Sequence, residues 1–183
     1  MLLDNLKTDR LMFRRFTKKD IPAIAPFFAD RDAMYFYLAE PLRLFDENEL
    51  NDFLADWDDG ETCFLYTVYH DDNAIGLFSL EDYIPQFRHA ETGFAVTDPS
   101  ARGQGFASEM IAAAVDHLFL QRHFKKIMMR HIEGNEASEH LIRKHGFTRE
   151  GRLREHVLRD GDRWLDVFLY ALTEEEYENR FLL

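Results

Sequence analysis

Residues 101–108 read Ala101-Arg102-Gly103-Gln104-Gly105-Phe106-Ala107-Ser108, with two glycines placed where a loop enters a helix. Gly103 and Gly105 carry no side chain that could block the backbone amides. A helix start of this kind binds anions through its free N–H groups and the positive end of its dipole. Upstream, AETGFAV (residues 90–96) predicts a strand. Downstream, Met110, Ile111, Ala114, Leu118 and Phe119 recur on one face of a helix. The unit is therefore strand, Gly-rich loop, helix.

Three readings compete for this loop: a structural turn, a dinucleotide fingerprint, or a pyrophosphate cradle for a coenzyme A. Gly103, Gly105 and Ser108 have GxGxxS spacing, but DPSAR (residues 98–102) separates them from the strand, where a dinucleotide-binding turn would be tight. The acid expected to bind a ribose after the next strand is also misplaced. No Gly-Lys-Ser/Thr follows, so the loop is not a P-loop. Taken alone, the loop leaves the choice open.

Its surroundings supply a family resemblance. Arg102, Gly105 and Ala107 fit the Arg/Gln-x-x-Gly-x-Gly/Ala signature of the GNAT acetyltransferases, preceded by FAVTDPSA (residues 94–101). NEASEHLIRKHGF, from Asn135 to Gly146 and Phe147, resembles the same superfamily's Asn-led helix ending in Gly-Phe. EGRLREHVLRDGDRWLDVFLYAL (residues 150–172) is similar to the ending of the RimJ/RimL-type branch, the ribosomal-protein N-terminal acetyltransferases and their relatives. The specific part of the resemblance spans roughly residues 90–172, and the first third matches mainly in layout.

The resemblance implies a single GNAT domain over residues 1–183, of mixed α/β class. Its central sheet would be mostly antiparallel, with a splayed parallel strand pair and flanking helices. The implied activity is transfer of an acetyl group from acetyl-coenzyme A (acetyl-CoA) to a primary amine. A protein N-terminal α-amine is the first acceptor, and a polyamine, amino sugar or other small amine the second. A non-catalytic acyl-CoA-binding regulator on the same fold is the alternative from another class. By analogy a homodimer is expected.

The resemblance also assigns residues. Phe94, Ala95 and Val96 would pair their backbone with the pantetheine arm beside the neighbouring strand KKIMMRH (residues 125–131). The loop from Arg102 through Gly103, Gln104, Gly105 and Phe106 to Ala107 would bind the pyrophosphate. Asn135 suits both helix N-capping and a cofactor contact. Ser138 is either a small first-turn residue or a hydroxyl beside the departing thiolate. Many GNAT enzymes carry a proton-donating tyrosine four residues before the Gly-Phe pair, where this chain has Ile142.

A base must take a proton from the amine. Glu91, which opens a strand where several superfamily members carry theirs, is one candidate. Glu155 and His156 are others, with Glu155 favoured; adjacent strand residues face opposite sides, so at most one of the two should reach the cleft. Relatives place a proposed base two residues beyond Glu155, where this chain has Val157.

The remaining sequence bounds these readings. At 183 residues, with 46% hydrophobic residues and 17 Phe, the chain supports one sizeable core. A net charge of −12 argues against a bare nucleic-acid binder and attracts cationic ligands. Acids crowd one early stretch (Asp30, Asp32, Glu40, Asp46, Glu47, Glu49, Asp52, Asp56, Asp58, Asp59 and Glu61), which reads as a solvated helical face or as a funnel for an amine. The lone Cys63 excludes an internal disulfide framework and fits a reducing cytoplasm. No secretion signal and no membrane span is predicted. His117, His123, His131, His140 and His145 show no HExxH or Cys/His metal spacing, so no metal is expected. Without a GxSxG elbow, and with Ser108 inside a helix, a Ser-His-Asp hydrolase is disfavoured.

Periodicity adds a strand in RLMFRRF (10–16), a helix capped by Thr17 and Asp20 that runs to about Phe28, and a helix in DENELNDFLADW (46–57). In that helix Leu50, Phe53, Leu54 and Trp57 should face the core. CFLYTVY and NAIGLFSLEDY form one hairpin across HDDN. REGRLREHVL and RWLDVFLYAL form another across Asp160-Gly161, and TEEEYENRF makes a terminal helix. The strand-helix-strand middle predicts a crossover with parallel pairing.

Overall fold

Two tight hairpins flank the middle of the sheet. In the computed structural model, which describes residues 2–38 and 42–181, Asp71 and Asp72 both take positive φ (48° and 61°) between β2 (Phe64–His70) and β3 (Asn73–Ile84). Asp160 and Gly161 do the same (54° and 87°) between β6 (Thr148–Arg159) and β7 (Arg163–Thr173). Paired positive φ values give a turn whose twist matches that of the strands it joins.

Among the described residues, seven strands form one sheet in the order β1-β2-β3-β4-β5-β7-β6, with β1 at Met12–Arg15, β4 at His89–Val96 and β5 at Lys126–Ile132. Every neighbouring pair is antiparallel except β4–β5, which is parallel. This is the predicted mixed sheet. The connection between β4 and β5 is α4 (Phe106–Leu120), the helix the Gly-rich loop opens.

The sheet is buried on both faces. Phe13, Tyr66, Phe78 and Leu80 pack with Met110, Ile111 and Leu118 of α4. On the other face Leu65 and Leu77 meet Ile24 and Phe28 of α1 (Ile21–Ala29) and Leu50 and Leu54 of α3 (Glu47–Trp57). The short α2 (Arg31–Met34) follows α1, while α5 (Glu136–Lys144) precedes β6 and α6 (Glu174–Phe181) follows β7.

Local signals explain the helix starts. Thr17 and Asp20 form a capping box ahead of a single 3₁₀ turn that leads into α1, so the helix begins slightly later than its cap residue implies. Asp46 and Glu49 form another at α3. Leu50 and Leu54 are fully buried, and Phe53 and Trp57 pack half-buried against the same core while also lining a cavity. No helix of the described residues is long and apolar enough to cross a membrane.

Candidate active site

The site begins where the sheet splits. Strands β4 and β5 share three paired positions, His89–Lys126, Ala90–Ile127 and Glu91–Met128. Thr92 Oγ1 donates to Met128 O at 3.3 Å just beyond the last of these. Past that point β5 pairs only with β7, and β4 only with β3, through Phe94–Phe78, Ala95–Leu77 and Val96–Gly76. The β4 edge at Phe94, Ala95 and Val96 therefore faces a cleft. A cavity of about 1000 Å³ fills it and runs from the Gly-rich loop to α1–α3.

At one end lies the loop. Asp98 accepts from Ser100 N at 2.8 Å and starts a 3₁₀ turn. Gly103 (φ 74°) and Gly105 (φ 82°) then take left-handed conformations, with Gly105 as the N-cap of α4. The first bond of this helix start runs from Glu109 N to Gly105 O, so the amides of Phe106, Ala107 and Ser108 precede any helical acceptor. Arg102, Gly103, Gly105, Phe106, Ala107 and Ser108 all line the cavity. Gln104 does not: its amide reaches Ser100 O at 2.8 Å, and its carbonyl accepts from Arg10 Nη1 at 3.2 Å.

Three charged side chains, Glu109, Arg10 and Lys144, surround the loop. Burial opposes the charge of Glu109 in the first turn, but Thr8 and Arg10 hold its carboxyl below the ordinary range. Arg10 also stacks 4.5 Å over the Phe106 ring. Lys144 Nζ donates to Ser108 Oγ at 2.9 Å, bringing a cation to the mouth. Arg10 opens the segment RLMFRRF, and nothing in that local pattern announces a contact 94 residues away.

At the cavity's other end carboxylates and aromatic rings converge. Glu81 and Glu91 stand directly opposite each other in the β3–β4 ladder. Both are half-buried, and burial pushes both carboxyls above the ordinary range. Glu91 pairs with Arg130 of β5, whose guanidinium keeps its charge against burial through that bond. Glu81 accepts from Ser79 Oγ at 2.6 Å. Asp32 and Asp56 lie further out, exposed, with Phe27, Tyr37, Phe53 and Trp57 forming the walls. Near Glu81, the Tyr37 hydroxyl is pushed up by burial and by that carboxylate.

The early acidic stretch thus divides into distinct roles. Asp30 caps α2, Asp46 caps α3, Asp58 pairs with Arg15, and Asp59 holds the turn at 61–63. Only Asp32 and Asp56 of that stretch line the cavity, among the described residues; Glu40 lies outside them.

Asn135 Oδ1 accepts from Ser138 N at 3.1 Å, so its capping role is realised while both residues line the cavity. The Ser138 hydroxyl makes no hydrogen bond to a described protein group. Ile142 is fully buried in the core and offers no hydroxyl to the cleft. Glu155 sits apart: it is exposed, with φ 51°, on a bulge between Leu153 and Val157, and neither it nor His156 lines the cavity. The bulge breaks the alternation on which the Glu155-or-His156 argument rested. His131, near the end of β5, lines the cavity with its Nε2 buried and unpartnered among the described residues. Among the described residues no three His, Cys, Asp or Glu side chains group as ion ligands.

Residues 10–148 match the family described as an acetyltransferase (GNAT) domain, and the chain belongs to that family of N-acetyltransferases, which use acetyl-CoA. It is similar to the spermidine N(1)-acetyltransferase of Vibrio cholerae, 29% identical over 171 residues that cover 93% of this chain and 97% of that one. It is also similar to the [ribosomal protein uS5]-alanine N-acetyltransferase of Escherichia coli, 25% identical over 94% of this chain and 92% of the relative. The crystal structure of a GNAT-family acetyltransferase from Bacillus anthracis superposes with a TM-score of 0.77 at 26% identity, covering 93% and 98% of the two chains.

Proposed function

We propose that this N-acetyltransferase acetylates an alkylamine that carries a second positive charge, a polyamine in chemical class. The supporting observation is the two-tier acidic end of the cavity, with Glu81 and Glu91 deep beside the sheet and Asp32 and Asp56 at the rim. The deep tier suits the reacting ammonium and the rim suits the distal cation, while Tyr37, Phe53 and Trp57 offer ring faces to both. The similarity to a spermidine acetyltransferase points the same way.

The other end of the cavity fits acetyl-CoA. The open β4 edge at Phe94–Val96 offers backbone groups to the pantetheine amides, and the amides of Phe106, Ala107 and Ser108 offer donors to the pyrophosphate. When bound, the coenzyme supplies an activated acetyl thioester. Asn135 and Ser138, which line the same cavity, would lie beside the thioester, and the protein's main task would be to hold the amine in line for attack.

A protein N-terminal α-amine, the first expectation from the sequence, is the second reading and is favoured by the similarity to the uS5-alanine enzyme. The two acceptors differ in acidity. An N-terminal amine titrates near pH 8, roughly, and an alkylammonium near 10. Two half-buried carboxylates at the reaction end, one of them free of an ion pair among the described residues, suit the harder deprotonation.

Thiol release with acetyl-CoA over a panel of polyamines and of Ala- and Ser-starting peptides tests the choice. Polyamine turnover at least tenfold above peptide turnover is expected. The reverse order transfers the assignment to protein N-termini. Cofactor binding with no turnover over the whole panel leaves a non-catalytic acyl-CoA-binding regulator.

A further inference from the structure

Of the carboxylates in the cavity, two lie deep enough to take a proton from an amine held against the sheet. They are opposite partners, Glu81 on β3 and Glu91 on β4, and their surroundings differ. Glu91 is held by Arg130, so protonating it would break an ion pair in a half-buried site. Glu81 has no cation partner among the described residues. It is fixed by the Ser79 hydroxyl, and the groups facing it are Glu91 on β4, Arg130 on β5, its own neighbour Asp82 and Tyr37.

The space for this arrangement is built by a residue that is absent of side chain. A Cβ at Gly93 would stand 2.6 Å from Ser79 Oγ and 3.4 Å from Glu81 Oε1, so Gly93 leaves room on the ladder face where both point into the cavity. A serine donor, a glycine gap and a neighbouring carboxylate neutralised by arginine together hold one unpaired carboxylate at the reacting end.

We propose that Glu81 is the general base of the reaction, and that the Glu91–Arg130 pair positions and insulates it. Glu81 takes one proton from the substrate ammonium. The neutral nitrogen forms the C–N bond as the C–S bond of the thioester breaks, the second nitrogen proton passes to the departing sulfur, and the proton on Glu81 returns to water. The assignment rests on the amine-acetylating reading above. Burial raises the Glu81 carboxyl toward the working range of a base.

The test is the pH dependence of kcat/KM for spermidine in wild type, Glu81→Gln and Glu91→Gln, with acetyl-CoA affinity measured by calorimetry in each. Glu81→Gln is expected to lose on the order of 10²-fold at pH 7. It should keep its cofactor affinity and regain rate steadily toward pH 10, as the free amine becomes available in solution. Glu91→Gln should lose less and keep the shape of the wild-type profile. A Glu81→Gln profile parallel to wild type within threefold overturns the assignment, as does the large pH-dependent loss falling on Glu91→Gln. Wild-type turnover with N-terminal peptides alone overturns the polyamine reading; the same profiles, run on the peptide, then judge Glu81 independently.

Discussion

Gly93 faces Ser79 across the β3–β4 ladder so closely that a single added methyl would lie 2.6 Å from the serine hydroxyl. Gly93→Ala is therefore expected to turn the hydroxyl away from Glu81 and to lower kcat several-fold, with an overpacking loss of about 1–3 kcal/mol in stability. Steady-state kinetics beside denaturant unfolding separates the two effects. Adding Ser79→Ala to the same chain should restore stability while leaving kcat low.

Glu81 should make the protein less stable than it could be. Its carboxyl is raised in the folded state, so folding is penalised where the group is charged: the penalty is complete above the folded value and vanishes below the ordinary carboxylate range, about 4.3. Glu81→Gln is expected to raise Tm at pH 7–8, with the gain shrinking to nothing near pH 4. Thermal unfolding across that range checks the sign, and a fall in Tm at pH 8 would contradict it.

At Gly105 the backbone conformation, rather than space, restricts substitution: φ is 82° and the nearest atom to an added Cβ is Arg10 Nη2 at 3.8 Å. Gly105→Ala should cost about 1 kcal/mol in stability and little acetyl-CoA affinity. Gly105→Glu adds to the same strain a negative charge at the helix start, and should weaken binding at least tenfold by calorimetry.

Asp56 is exposed at the cavity rim and makes no described ion pair. Asp56→Asn is expected to raise the KM for a polyamine roughly threefold to tenfold at low salt, with kcat nearly unchanged. The effect should fade as salt rises past about 0.15 M, where screening shortens the reach of surface charge.

How far the sequence disclosed this site varies along the chain, for physical reasons. The loop at 102–107 and the cap at Asn135 are local devices, and their residues act on backbone within a few positions, so order in the chain was enough. Glu81 is different. In NAIGLFSLEDY it sits beside Asp82, and only the ladder register that sets it opposite Glu91 decides which acid faces the cavity. The placement of Glu155 was hidden for a related reason: between Leu153 and Val157 the strand takes four steps against two on β7, and alternation does not survive such a bulge. The acidic run from Asp30 to Glu61 could not be sorted by composition, because caps, ion pairs and cavity-rim acids are written with the same letters.

The three rungs that join β4 to β5 have a mechanical consequence. On one side lie β1 to β4 and on the other β5 to β7, and across most of their length the two half-sheets share no backbone bonds. The seam is stitched at one end only. A coenzyme lying along the open part would act as a second row of stitching, so ligand concentration should tune the rigidity of the whole sheet, with thermal stability climbing logarithmically as the seam fills.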